Sequence, residues 1–276
     1  MISCPKISCV TATNGRVALL KKAIQCYLSQ TYQNKELIVL SQGSKNANEE
    51  IKTHIDSLQR RDIQFISCDP KMSLGAMRNL SVELTTGEVV CQWDDDDLYH
   101  PFRISDQFHR LSQGALASCY RQHLKYYLHT GEMYWIDWSI EKKLFERYLP
   151  GTIMFWKQFF HDSYNMLYPE YGECSGREED LCLLQRFLDV GTIADVDLGH
   201  QYIYVYHGNN IYWLEHHNLV LAKRVFTNEE LLARKPLLEE TFRAVGIDQP
   251  VKVRSLEGVA FEYHPESTKI VTRNHE

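Results

Sequence analysis

The chain has 276 residues, 44% hydrophobic and 24% charged, with a formal net charge of −6. This is the composition of an ordinary folded protein with one large α/β domain or a domain plus an appendage, not of a disordered one. The acidic balance lacks any Lys/Arg stripe and excludes a nucleic-acid partner, and no run of about 18 apolar residues can span a membrane, which leaves peripheral membrane association open.

In chain order, residues 7–10 read as a short buried strand that ends in the polar turn 11–16. Leu20, Ala23, Ile24, Tyr27 and Leu28 have the spacing of an amphipathic helix over 17–29. A second strand at 36–40 halts at Ser41-Gln42-Gly43-Ser44. A polar helix over 48–59, a strand over 63–67, a helix over 73–84 and a strand over 89–92 follow. Four strand–helix alternations before residue 100 predict a mainly parallel sheet with helices on both faces. Right-handed crossovers then bring the ends of the strands, and so Thr11, Ser41 and Asp94, to one rim.

Beyond Pro101 the pattern changes. A helix over 102–111 leads to strands over 117–128, 133–138 and 151–156, in a more antiparallel region. Turn formers at 168–176 precede a helix over 178–190, and the strand 202–206 runs into His207-Gly208-Asn209-Asn210. A helix over 228–245 and a hairpin over 251–263 complete the chain. The expected organisation is a catalytic domain over 1–220 and a small helical and hairpin extension over 221–276 packed on it. The eight cysteines form no CxxC pair, and Cys9, Cys68 and Cys91 fall in or beside apolar strands. They read as reduced core thiols in a cytoplasmic protein with no N-terminal signal pattern.

Asp94-Asp95-Asp96-Asp97 is the most informative run. Adjacent carboxylates repel, so a fold keeps them where water or a cation neutralises them. At the carboxyl end of a buried strand they sit where open α/β sheets bind ligands. Magnesium commonly bridges one or two carboxylates to substrate phosphates. Taken alone, an acidic run is more often a solvated turn.

Four segments together resemble glycosyltransferase family 2, whose members have a GT-A fold. They are PKISCVTATNGRVALLKKAIQCYLSQTYQNKELIVLSQGS, SLGAMRNLSVELTTGEVVCQWDDDDLYHP, GREEDLCLLQRF and YVYHGNN. The order and spacing carry the resemblance, which covers residues 6–213. It implies an inverting transferase that moves a sugar from a nucleotide diphosphate, UDP first among the choices, to an acceptor hydroxyl with Mn²⁺ or Mg²⁺. It implies that Asp94 contacts the ribose and that Asp96 ligates the ion, with Asp95 an ambiguous neighbour on the donor side. Thr11 and Arg16 match positions beside the nucleotide, and Arg78 a position near base and phosphates, where a guanidinium complements anionic oxygens. Asp180 matches the base that deprotonates the acceptor, a role typically worth about 10²–10⁴ in rate. Glu179 matches an acceptor-side residue, although acids at a helix start also meet its dipole favourably.

His207 matches an extra metal ligand in some relatives, and an imidazole suits Mn²⁺ better than Mg²⁺. An ordinary hydrogen-bonded histidine accounts for it equally well, and His100, His216 and His217 read as structural or surface residues. The chain departs from the family where an Asp-Asp-Gly-Ser usually ends the second strand. Ser41 and Gln42 stand there and offer a hydroxyl and an amide to a base edge instead of a carboxylate. The acceptor, a glycan, a lipid-linked glycan or a peptide, is expected to be read by loops within 118–171. Rival readings are a nucleotidyltransferase, disfavoured by the single Gly and single basic residue in 11–16, a degenerate sugar-nucleotide-binding module, and a two-carboxylate glycosidase.

Overall fold

The computed structural model describes residues 4–160, 166–221 and 224–265. The first half alternates as the apolar runs dictate: β1 (Ile7–Thr13), α1 (Val17–Leu28), β2 (Lys35–Ser41), α2 (Lys45–Ser57), β3 (Ile63–Ser67), α3 (Leu74–Glu83) and β4 (Val89–Gln92). After it come β5 (Leu98–Tyr99), α4 (Arg103–Leu111), β6 (Ala117–Tyr120), β7 (Gln122–Tyr127), β8 (Glu132–Asp137), β9 (Met154–Trp156) and α5 (Glu179–Val190). The chain closes with β10 (Ile193–Val196), β11 (Tyr202–Tyr206), α6 (Leu214–Leu221), β12 (Arg224–Val225), α7 (Asn228–Ala233), α8 (Lys235–Ala244), β13 (Val251–Ser255) and β14 (Gly258–Tyr263).

One sheet has the order β10-β6-β9-β4-β1-β2-β3, with β4, β1, β2 and β3 parallel and β9 antiparallel to both its neighbours. Its strands are apolar on both faces because both faces are covered. Ile7, Cys9, Leu37, Val39, Val89 and Cys91 feed one core with α1 and α2, while Val10, Ile38, Leu40 and Val90 feed another with α3 and α5. The second sheet, β14-β13-β8-β7-β11-β5 with β12 beside β8, is mixed.

The run expected as one strand over 117–128 divides at Arg121, where the chain leaves the first sheet for the second. Ion pairs from Arg121 to Asp195 and Asp197, at 2.8 and 2.7 Å, anchor the crossing. The helix expected over 228–245 is two, because Pro236 starts the second and has no N–H to continue the first. The polar helix starts earlier than expected, at Lys45, where the Ser44 hydroxyl accepts from the Ala47 N–H. Only Met154–Trp156 of residues 151–156 is strand, preceded by a 3₁₀ turn at Pro150–Thr152. Residues after 220 join the second sheet through β12–β14 and share a core with β1 through Leu231, Leu238 and Phe242. Of the expected extension, 222–223 and 266–276 lie outside the described residues, as do 161–165 of the acceptor region. All eight cysteines are free.

Candidate active site

The parallel strands β1, β2 and β4 end on one rim, and a cleft of about 610 Å³ opens there. Trp93 anchors the acidic run. Its ring is fully buried, its indole N–H donates to the Ala23 carbonyl of α1 at 3.1 Å, and its carbonyl accepts from the Thr11 hydroxyl at 2.6 Å. The four following carboxylates then diverge. Asp94 receives both terminal nitrogens of Arg78 at 3.2 Å and the Gln92 amide at 3.3 Å. Asp95 is gripped by Arg16, whose Nε lies at 3.2 Å and whose Nη2 makes a closer contact. Asp96 takes Arg16 Nη1 at 2.8 Å and His207 Nε2 at 3.2 Å. Asp97 turns inward to the Tyr202 hydroxyl and the Val205 N–H. Burial and the adjacent Asp96 push the Asp95 carboxyl up to about 6, against the pull of Arg16, and burial raises Asp97 well above the carboxylate range.

Gly75 explains the neighbouring motif. A Cβ there would lie 1.9 Å from the Pro169 carbonyl oxygen, so only glycine lets α3 pack against that segment. Asn79 fastens the same segment, donating to the Tyr168 carbonyl at 3.0 Å and accepting the Tyr168 N–H at 2.9 Å. Arg78, one residue before, is thereby aimed into the cleft, where its Nε donates to Glu179 at 2.7 Å. This guanidinium joins the β4 carboxylates to those at the start of α5. Asp180 is half-buried beside Glu179, with Oδ1 accepting the Leu181 N–H at 2.8 Å. Burial first, then the charges of Glu179 and Asp94, push its carboxyl up to about 7, with Arg78 opposing. Glu178, which precedes the pair, has a left-handed backbone (φ 63°), a strained conformation for a residue with a Cβ.

The cleft therefore gathers Arg16, Arg78, Asp94, Asp95, Asp96, Glu179 and Asp180 on its walls. His207 reaches it through Asp96, because β11 pairs antiparallel to β5, which directly follows the acidic run. Thr11 and Ser41 stand behind the wall: Thr11 is bonded to Trp93, and the Ser41 hydroxyl donates to Asn48 at 2.6 Å. Gln42 lines the cleft in place of Ser41. Sequence reasoning missed Asn14, Tyr204, Asn210 and Tyr212 on the walls, and Gly151, whose added Cβ would stand 3.0 Å from Asp94 Oδ2 and 3.5 Å from Asp180 Oδ2.

Seven carboxylates and three arginines line this cleft, so an anionic ligand would meet net repulsion without a companion cation. Carboxylate and imidazole donors at Asp96 and His207 suit a divalent ion of the Mg²⁺ or Mn²⁺ class. Among the described residues no three His, Cys, Asp or Glu side chains converge to hold an ion unaided, so an ion here would take its remaining ligands from a bound anion and water. The Asn209 N–H meets His207 Nδ1 at 3.3 Å, which leaves the ring proton on Nε2, toward Asp96. Ligation through Nε2 would move that proton to Nδ1 and give up the Asn209 contact.

The family model described as glycosyl transferase family 2 matches residues 8–171, more than half of the chain. Over 101 residues the chain is 33% identical to a putative colanic acid biosynthesis glycosyl transferase, WcaA, of Escherichia coli (strain K12), covering 37% of this chain and 36% of that protein. It spans about a third of the length of the curated relatives it matches. Among solved structures, S. aureus TarS 1-349 in complex with UDP aligns with a TM-score of 0.54 at 13% identity, over 86% of this chain and 70% of that one. The mannosyltransferase PcManGT from Pyrobaculum calidifontis, in complex with GDP-Man and Mn²⁺, aligns with a TM-score of 0.56 at 11% identity, over 86% and 69%. At such identities these likenesses speak for the fold, which is the GT-A fold of those glycosyltransferases. With the family match spanning its nucleotide-type first half and the acidic run, the chain belongs to glycosyl transferase family 2.

Proposed function

We propose that the protein transfers a sugar, with inversion, from a nucleotide diphosphate donor to an acceptor hydroxyl. The observation that carries this reading is the cleft's two-sided acid arrangement. Asp94 and Asp96 stand at the β4 end, Glu179 and Asp180 at the α5 start, and Arg78 bridges Asp94 to Glu179. Breaking a sugar–phosphate bond puts negative charge on the departing diphosphate, and taking up an acceptor hydroxyl needs a base on the opposite side of the sugar.

Asp96 and His207 would hold a divalent ion on the donor side, where such an ion supplies charge stabilisation for a leaving diphosphate. Arg16, now on Asp95 and Asp96, is a further cation on this cleft for donor phosphates. Asp94 faces the ribose side, and Gln42, whose amide N–H groups are held by the Asp69 and Met72 carbonyls at 2.9 and 2.7 Å, offers its carbonyl oxygen to a donor on the base. Asp180, with its carboxyl near 7, is poised to take the hydroxyl proton as the bond to the sugar forms. Glu179, fixed by Arg78, orients the acceptor side and raises the basicity of Asp180. A UDP-sugar is the first choice of donor, and the acceptor is a glycan, a lipid-linked glycan or a peptide. Residues 1–220 would carry the chemistry, with 221–276 packed as an extension. No helix among the described residues is long and apolar enough to cross a membrane, and we assign the activity to the cytoplasm.

The test is a panel of UDP- and GDP-sugars with Mn²⁺, scored for donor hydrolysis and transfer. One donor should be turned over by the native protein, and Asp180→Asn should lose turnover. An α-linked donor should give a β-glycoside by NMR. An α-linked product would remove Asp180 from its role, and inertness toward every donor would favour a sugar-nucleotide-binding module.

A further inference from the structure

Past Asp94, Glu178 and Asp180 the donor cleft opens into a second cavity of about 450 Å³. Trp138, Tyr148, Tyr204 and Tyr212 form aromatic walls, and Lys125 and His217 lie at its floor. The placement follows from the sheet: Lys125 is on β7 opposite Tyr204 of β11, and α6 crosses this face to bring His217 against it. Lys125 is 3% exposed. Its Nζ lies 2.7 Å from His217 Nδ1, and the His217 Nε2 faces the Tyr212 carbonyl at 3.2 Å. A carbonyl only accepts, so Nε2 carries the ring proton and Nδ1 accepts from Lys125.

That engages one of three ammonium protons. The rings of Tyr204 and Tyr127 also lie near it, with centroids at 5.1 and 6.0 Å, and His123 and His216 line the same cavity. Among the described residues no carboxylate pairs with it within ion-pair distance, and Asp97, the acid whose field it feels, is tied to Tyr202 and Val205. Burying a cation without a counter-ion is costly, and burial pushes the Lys125 ammonium down to about 7. An anionic oxygen at the floor of this cavity, which begins at Asp180, would supply the missing counter-ion and favour the charged ammonium.

We propose that this cavity is the acceptor subsite and that Lys125 binds a carboxylate carried by the acceptor sugar, so that uronic-acid-type acceptors are selected over neutral ones. This rests on Asp180 as the base. A carboxylate fits better than a phosphate, because no arginine lines the cavity while Asp94, Glu146, Glu178 and Asp180 do. Lys125 sets one positive charge against these acids, so a dianion would meet more repulsion than a monoanion. The aromatic walls supply flat apolar faces with polar edges for the sugar ring.

The test is calorimetric titration of the native protein, with UDP and Mn²⁺ present, using methyl β-glucuronide, methyl β-glucoside and methyl β-glucoside 6-phosphate. The glucuronide should bind about tenfold tighter than the other two, the scale of one charged hydrogen bond. Lys125→Met should erase that preference and leave UDP affinity unchanged. Equal affinity for glucuronide and glucoside, no glucuronide binding, tighter phosphate binding, or a preference that survives Lys125→Met would each overturn the proposal. If the variant does not fold, the three-ligand comparison on the native protein still decides. UDP and GDP titrated alone separate the two readings: absent nucleotide binding strikes at the transferase reading, whereas nucleotide binding without glucuronide preference strikes only at the role of Lys125.

Discussion

Asp180→Asn should stabilise the protein at neutral pH while removing its activity. In the native state the carboxyl is pushed from the usual carboxylate range to about 7, by burial first and then by Glu179 and Asp94. Three units at about 1.36 kcal/mol each set a ceiling of about 4 kcal/mol, and solvent reaching this half-buried group reduces it to roughly 1–2 kcal/mol. The sign follows from proton uptake. Between about pH 4 and pH 7 the native state keeps a proton that the unfolded chain has released, so stability falls as pH rises through that window. The penalty is absent below about pH 4 and complete above about pH 7, and asparagine removes it. An aspartate serving only the first turn of α5 would act oppositely, because its charge would favour the helix by about 0.3–1 kcal/mol at neutral pH. Urea unfolding of both proteins at pH 5 and pH 8 measures the difference. The variant's advantage should widen from pH 5 to pH 8 while turnover falls by roughly 10²-fold or more. A variant less stable than native at pH 8, or a gap that does not widen, would refute the reasoning.

Arg78→Met leaves Glu179 and Asp94 facing each other unpaired, and should lower stability by about 3 kcal/mol in denaturant unfolding. It also removes the charge that opposes the rise at Asp180, so the rising limb of the pH–rate profile should move to higher pH. Gly75→Ala drives a methyl onto the Pro169 carbonyl and should cost about 1–3 kcal/mol of stability by the same measurement. Gly151→Ala instead crowds the ends of Asp94 and Asp180, so its melting temperature should stay near native while transfer falls roughly tenfold or more.

The first half of the fold was legible because its strands are short apolar runs set off by turns, and covered parallel sheets demand such runs. The acidic run and the Glu179-Asp180 pair were legible as clusters because the first follows the apolar strand β4 and the second opens the helix α5. Thr11 and Ser41 show the limit. Thr11 was expected in a turn but lies within β1, and Ser41 ends β2; their hydroxyl directions are set by local partners, Trp93 and Asn48. The division at Arg121 depended on ion pairs to residues more than 70 positions away, which no periodicity reports. The split at Pro236 did carry a signal, the proline itself, and the apolar spacing over 228–245 masked it. His217 reads from sequence as one of two adjacent histidines, and only the crossing of α6 over β7 makes it a buried partner of Lys125. The glycines at 75 and 151 have meaning only through backbone and side chains brought from elsewhere.

The most direct test of the account is calorimetric titration of UDP into the native protein and Asp96→Asn, each with Mn²⁺ and with EDTA. Nucleotide affinity in the native protein should depend on the ion, and Asp96→Asn with Mn²⁺ should bind as weakly as the native protein in EDTA. Equal affinity in Mn²⁺ and EDTA, or an Asp96→Asn variant that binds as the native protein does, would contradict it.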